Sequence, residues 1–219
     1  MGAIVLDQTL NAAGTGTITT PVFSTSAPNE LLLAFVGADG PTPSQSQSVT
    51  VSGSGLNWKL VARGNAQAGD AEIWAATVVS PLSNLAVTST EASSGYNQSL
   101  TVTALHGSSG VASVGAHSTA GAPQGAPSVN VTTTGAGSWV LGVGSDWQNA
   151  IARTLGLNQQ LLSEQLFAAA GVSFWVQAIT GTTPASNTLV TLNDTGPTSD
   201  QWPLDTGHQD RLQISSTIS

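Results

Sequence analysis

Two loop-like stretches set an indole among carboxylates and side-chain amides: Ser145-Asp146-Trp147-Gln148-Asn149 and Ser199-Asp200-Gln201-Trp202-Pro203. A flat indole stacks on the apolar face of a sugar ring, and the neighbouring acids and amides can exchange hydrogen bonds with its hydroxyls. On this reading Trp147 and Trp202 are stacking surfaces, with Asp146, Gln148, Asn149 and Asp200 as directional contacts. Arg153 follows the first stretch after Ala150-Ile151-Ala152. It is placed to pair with Asp146 inside the loop or, if the pair lines a cleft, to orient a ligand with its planar fork. The alternative for both stretches is a tryptophan folded over the end of a β-domain and held by turn hydrogen bonds from its acidic neighbour. Tyr96-Asn97-Gln98 is a similar polar aromatic cluster, whose amides could equally cap a strand edge or satisfy a buried loop.

Other chemistry is weakly signalled. Asn193-Asp194-Thr195-Gly196-Pro197-Thr198-Ser199-Asp200 carries enough oxygen donors for a structural calcium, but lacks the spacing and terminal glutamate of an EF-hand. Asx turns account for the same residues. His106, His117 and His208 form no metal-ligand or triad spacing, and the chain has no cysteine. Glu72 near Trp74, and Glu91 before Ser93-Ser94-Gly95-Tyr96, are candidates for the paired carboxylates of a glycosidase; the ordinary reading is an exposed strand or loop glutamate. Gly107-Ser108-Ser109-Gly110 lacks the lysine and helix of a phosphate loop. No catalytic residue is therefore assigned, and no cofactor beyond that calcium.

Charge narrows the partners. Charged residues are 7% of the 219, and the net charge is -8, so Ser, Thr, Asn, Gln and Gly must cover the surface. Lys59, Arg63, Arg153 and Arg211 neither cluster nor outnumber the twelve acids, which argues against nucleic acid and against a polybasic membrane site. No apolar run approaches the roughly 20 residues of a spanning helix. The Met-Gly-Ala-Ile-Val start has neither the basic nor the long apolar region of a signal peptide. The uncharged, hydroxyl-rich composition still points to an extracellular, virion or cell-surface setting.

The elements that must position these residues are strands. Short Val/Thr/Ser/Leu runs recur from Ile4 to Leu10 through Thr188 to Leu192, separated by Gly, Pro, Asn and Ser, as hairpins and sandwich loops require. Alternation puts Trp58, Leu60 and Ala62 on one buried face, and turns Ser99, Thr101 and Thr103 to solvent or ligand. Val111 to Ala116 also reads as a strand. Asn158 to Ala170 has a partial helical stripe, but Val172 to Ile179 follows at hairpin distance, so a strand over Leu161 to Phe167 is favoured. The Pro/Ser/Gly-rich regions Asp39 to Gln47 and Thr119 to Pro127 are loops. Trp58, Trp74 and Trp139 read as core anchors, while Trp175 shares its face with Gln177 and reads as the more exposed. The expectation is an all-β, single antiparallel β-sandwich, jelly-roll-like, with long polar loops, over residues 1–204. Residues 205–219 would be a polar C-terminal strand or tail, open to exchange with a partner.

Asn29-Glu30-Leu31-Leu32-Leu33-Ala34-Phe35-Val36, Gly55-Leu56-Asn57-Trp58-Lys59-Leu60-Val61 and Ala71-Glu72-Ile73-Trp74-Ala75-Ala76 resemble a β-sandwich accessory module of secreted bacterial multidomain proteins. The likeness continues through Gly144-Ser145-Asp146-Trp147, Phe174-Trp175-Val176-Gln177 and Leu192-Asn193-Asp194 to Trp202. It implies binding, adhesion or spacing and supplies no catalytic set. It also implies an apolar strand just after Trp202, where this chain inserts Asp205-Thr206-Gly207-His208-Gln209-Asp210. The leading expectation is a noncatalytic extracellular recognition module for carbohydrate. A structural or adhesive subunit meeting neighbouring protein subunits or copies of itself comes second, and a glycoside-active enzyme third.

Overall fold

The computed structural model describes residues 4–41, 47–65, 69–107, 110–120 and 125–196, and the backbone of a strand at 210–214. The first half holds β1 (Val5–Thr15), β2 (Thr17–Thr19), β3 (Glu30–Ala38), β4 (Val49–Ser52), β5 (Lys59–Gly64), β6 (Asp70–Val78), β7 (Thr88–Glu91) and β8 (Asn97–His106). The second holds β9 (Ser128–Thr132), β10 (Trp139–Asp146), β11 (Thr154–Leu155), β12 (Gln159–Phe167), β13 (Val172–Ile179), β14 (Leu189–Gly196) and β15 (Asp210–Ile214). Among the described residues no helix is long and apolar enough to cross a membrane.

These strands make four antiparallel sheets, ordered β1-β8-β3-β6-β5, β2-β7-β4, β12-β13-β10-β15 and β11-β14-β9. Leu31-Leu32-Leu33-Ala34-Phe35-Val36 in β3 shows how they stack, because an unbroken apolar run marks a strand covered on both faces. Leu32, Ala34 and Val36 enter one core with Ile18, Phe23, Val49, Val51, Leu85 and Val87 from the β2-β7-β4 side. Leu31, Leu33 and Phe35 enter a second with Trp139, Leu141, Val143, Val176 and Ala178 of β10 and β13. Val140, on the far face of β10, packs with Val131, Val190 and Leu192 in a third. The layers are thus stacked in sandwich fashion, and their strand orders do not close into one jelly-roll barrel.

Double coverage changes several faces. Ser99, Thr101 and Thr103, expected at solvent, are buried. They share the parity of Leu105, which belongs to the core between β8 and the β10–β13 sheet, and Thr101 satisfies its hydroxyl on Asn11 Oδ1 at 2.9 Å. In β5 the register shifts between Leu60 and Ala62, so a bulge breaks the expected common face: Ala62 is buried and Leu60 is 39% exposed. Val111 begins not a strand but a 3-10 turn, Gly110–Ser113, pinned where the Val111 N–H donates to Thr77 Oγ1 at 2.8 Å.

The β12–β13 hairpin takes the strand alternative for Asn158 to Ala170, closing through a turn whose Gly171 has φ +71°. At the chain's end, β15 pairs along β10 from Trp139↔Ile214 to Val143↔Asp210, adding to the edge of its own sheet. Residues 205–209 and 215–219 of the expected tail lie outside the described residues.

Candidate functional site

β10 ends at Asp146, and the turn that follows is organised by that carboxylate. Asp146 is fully buried; its Oδ1 accepts from the N–H of Gln148 at 2.9 Å and of Asn149 at 3.2 Å, an Asx-type turn. Its Oδ2 accepts from Arg153 Nη2. The same Nη2 donates to Ser173 Oγ at 2.8 Å, and Ser173 Oγ donates to the Asn149 carbonyl at 3.0 Å, tying the turn to β13. The Arg153 guanidinium lies 4.4 Å from the ring centroid of Trp175, and its backbone N–H donates to Glu164 Oε1 at 2.7 Å. A buried ion pair is tolerable only with this many additional contacts, since desolvating both charges costs several kcal/mol per ion.

Trp175, expected to be the more exposed indole, is therefore 1% exposed. Its Nε1 donates to Gln177 Oε1 at 2.9 Å, Gln177 Nε2 donates to Gln159 Oε1 at 3.0 Å, and Gln159 Nε2 donates to Asn193 Oδ1 at 2.8 Å. Gly144 makes room for the ring: a Cβ there would sit 2.1 Å from Trp175 Cζ2. Asp194 lies within electrostatic reach of Arg153 and Glu164. Burial raises its pKa to about 7, Arg153 opposing the shift and Glu164 adding to it. Neither of its carboxylate oxygens has a hydrogen-bond partner among the described residues.

The sequence-predicted residues divide accordingly. Asp146 and Arg153 face inward, and support a turn in which Gln148 is exposed and Trp147 and Asn149 are half-buried. The Trp147 indole N–H is enclosed, with no acceptor among the described residues. Asp200 and Trp202 lie outside the described residues. Of the calcium candidates, Asn193 is engaged by Gln159 and Asp194 is buried. Among the described residues no cluster of three or more His, Cys, Asp or Glu could hold a metal ion.

The remaining candidate acids serve as internal acceptors. Glu72, read from the sequence as an exposed strand residue, is fully buried. It accepts from the Val49 N–H at 3.0 Å, from Arg63 Nε at 2.5 Å and from the Trp74 indole at 2.6 Å. Glu91 is also buried and accepts from the N–H groups of Gly16 at 3.0 Å and Tyr96 at 3.3 Å; burial raises its pKa to about 7.

Two depressions lie by the start of β10 and the end of β13. They adjoin and flank Thr180-Gly181-Thr182, with volumes of about 240 Å³ and about 320 Å³. Ile4, Leu6, Trp139 and Gln160 line the first; Asn158, Gln159, Thr183 and Thr191 are among the residues lining the second. Among the described residues no ionisable side chain lines either. Trp139 is largely buried and its Nε1 donates to the Ile179 carbonyl at 2.8 Å, so it offers the groove apolar ring surface and no hydrogen bond. Sequence reading assigned Trp139 to the core and did not find this groove. The one local signal was the hydroxyl-rich turn Thr180-Gly181-Thr182-Thr183. No family model, curated protein or solved structure matches the chain.

Proposed function

We propose that the protein is a noncatalytic, extracellular or surface-displayed recognition module whose ligand is a neutral glycan held in the groove beside Thr180-Gly181-Thr182. The observation that carries this reading is the groove's lining of hydroxyls, amides, aliphatic side chains and the Trp139 ring, with no charged group among the described residues. Threonine hydroxyls and the Gln160 and Asn158 amides both donate and accept, which matches the paired roles of sugar hydroxyls. Glycoside cleavage requires two carboxyl groups flanking the bond, and among the described residues neither depression offers one. The net charge of -8 also disfavours anionic sugars. Each depression lies near the lower end of the size range of small-molecule sites, which suits one or two sugar rings and a modest affinity. The Trp147-Gln148-Asn149 turn is the other surface on which the same ligand class would stack.

A glycan array with three proteins tests the proposal: wild type, Gln160→Ala/Thr182→Ala, and Trp147→Ala. Gln160 and Thr182 are exposed, so their truncation leaves the core intact. Loss of a saturable signal in the double variant alone supports the groove. Loss in Trp147→Ala alone moves the ligand to the turn, and a wild type that binds no glycan refutes the recognition reading.

A second reading, assembly with neighbouring subunits or a second copy, is favoured by β12. This edge strand carries Leu161 and Leu166 at 41% and 44% exposure, a surface suited to strand addition. Light scattering over a concentration series tests it: growth abolished by Leu161→Lys supports assembly, and a concentration-independent monomer rejects it.

A further inference from the structure

Two polar side chains meet inside the first apolar core. Ser89 sits in the inward row Ile18, Ser89, Val51 of the β2-β7-β4 sheet, whose outer members both belong to that core. Gln98 sits in the row Gly14, Gln98, Ala38 of the five-stranded sheet, where its small neighbours leave room for it to reach across. Both side chains are fully buried, and Ser89 Oγ donates to Gln98 Oε1 at 2.8 Å. The Gln98 amide nitrogen donates to the Gly16 carbonyl. The Gly16 N–H in turn donates to Oε2 of Glu91, the next inward residue of β7, at 3.0 Å. A buried polar pair costs stability unless satisfied, and apolar residues would fill the space without that cost.

We propose that Ser89 and Gln98 condense into a side-chain ester that joins the two sheets covalently. Ser89 Oγ attacks Gln98 Cδ, the Oγ–Cδ bond forms and the Cδ–Nε2 bond breaks. The hydroxyl proton passes first to Gln98 Oε1, to which Ser89 already donates. From the resulting tetrahedral adduct it passes to the nitrogen, which leaves as ammonia as the ester carbonyl re-forms. Nothing is oxidised or reduced, and no cofactor is needed. Cδ lies one carbonyl bond, about 1.2 Å, beyond the oxygen that Ser89 already contacts. A small rotation of the serine thus brings Oγ to the roughly 3–3.5 Å of a near-attack geometry, and the fold supplies the high effective concentration of an intramolecular reaction. The Gly16 carbonyl holds the leaving nitrogen on the side away from Ser89. Glu91 is a positioning residue, fixing Gly16 through its backbone N–H. Escape of ammonia draws the step forward, and burial keeps water from the ester. The proposal is independent of the glycan reading.

Intact mass spectrometry of the folded full chain after incubation near neutral pH tests it. The expected product is lighter by one ammonia, about 17 Da, and tandem spectra place the link between Ser89 and Gln98. Hydroxylamine cleaves the link, and Ser89→Ala keeps the unmodified mass. Glu91→Ala slows ammonia release and Glu91→Gln, which retains an acceptor for Gly16, restores it; equal rates in all three would remove Glu91 from the scheme. The proposal is overturned if folded wild type keeps its full mass. It is equally overturned if the mass loss persists in Ser89→Ala or maps to another residue.

Discussion

Asp194→Asn is the perturbation whose effect follows most directly from the buried polar cluster. In the folded protein burial moves this carboxyl from 3.8 to about 7, which disfavours its ionised form by about 4 kcal/mol. The unfolded chain gives up its proton near the ordinary value, so between about pH 4 and pH 7 the folded state binds the extra proton. The stabilising contribution is then complete below the unfolded value and is lost as pH rises through about 7, at up to about 1.4 kcal/mol per pH unit. Between about pH 5 and pH 8 the wild type should lose about 2–3 kcal/mol that Asp194→Asn, with nothing to ionise, does not lose. Comparing each protein with itself across pH removes the fixed cost of the asparagine amide. Urea unfolding followed by tryptophan fluorescence at the two pH values is the assay. Equal pH dependence in the two proteins, within about 0.5 kcal/mol, would show that Asp194 is not held protonated by burial.

Arg153→Met strips Asp146 of its buried partner and should cost about 3–5 kcal/mol in chemical denaturation, most of it recovered in Arg153→Met/Asp146→Leu, where no lone charge remains. Gly144→Ala drives a Cβ into Trp175, and should destabilise by about 1–3 kcal/mol or more, seen as a lowered Tm with altered tryptophan emission as the ring leaves Arg153. Trp74→Phe removes one donor from the fully buried Glu72 and should cost about 1–3 kcal/mol, measured by the same denaturation.

What could be read from the sequence depended on whether a residue's surroundings lie nearby along the chain. The β12–β13 hairpin was legible because its two runs and the Gly171 turn are contiguous. So was the Asp146–Arg153 pair, separated by seven residues. The strand over Leu31 to Val36 was legible as an apolar run, while its burial on both faces emerged only from the layers packed on it. The same double coverage was hidden in β8, because threonines at Thr101 and Thr103 look like a solvent face until a second sheet is packed on them. Trp175 was misread for a related reason: Arg153 and Gly144, which cover its ring, come from two other segments. The bulge in β5 has no marker in Leu60-Val61-Ala62, so alternation carried the wrong phase past it. Of the groove only the hydroxyl-rich turn had a local signal, since Leu6, Trp139, Gln160 and Thr182 meet only when four chain segments converge.

The central claim, a neutral glycan in an uncharged groove, is tested most directly by titrating isotopically labelled protein with the neutral oligosaccharide selected on the array and following amide and indole resonances. Saturable shifts should centre on Gln160, Thr180, Gly181 and Thr182 and on the Trp139 indole, with the Trp147 indole unmoved and the affinity insensitive to salt. Shifts confined to Trp147, Gln148 and Asn149, or none that saturate, would contradict it.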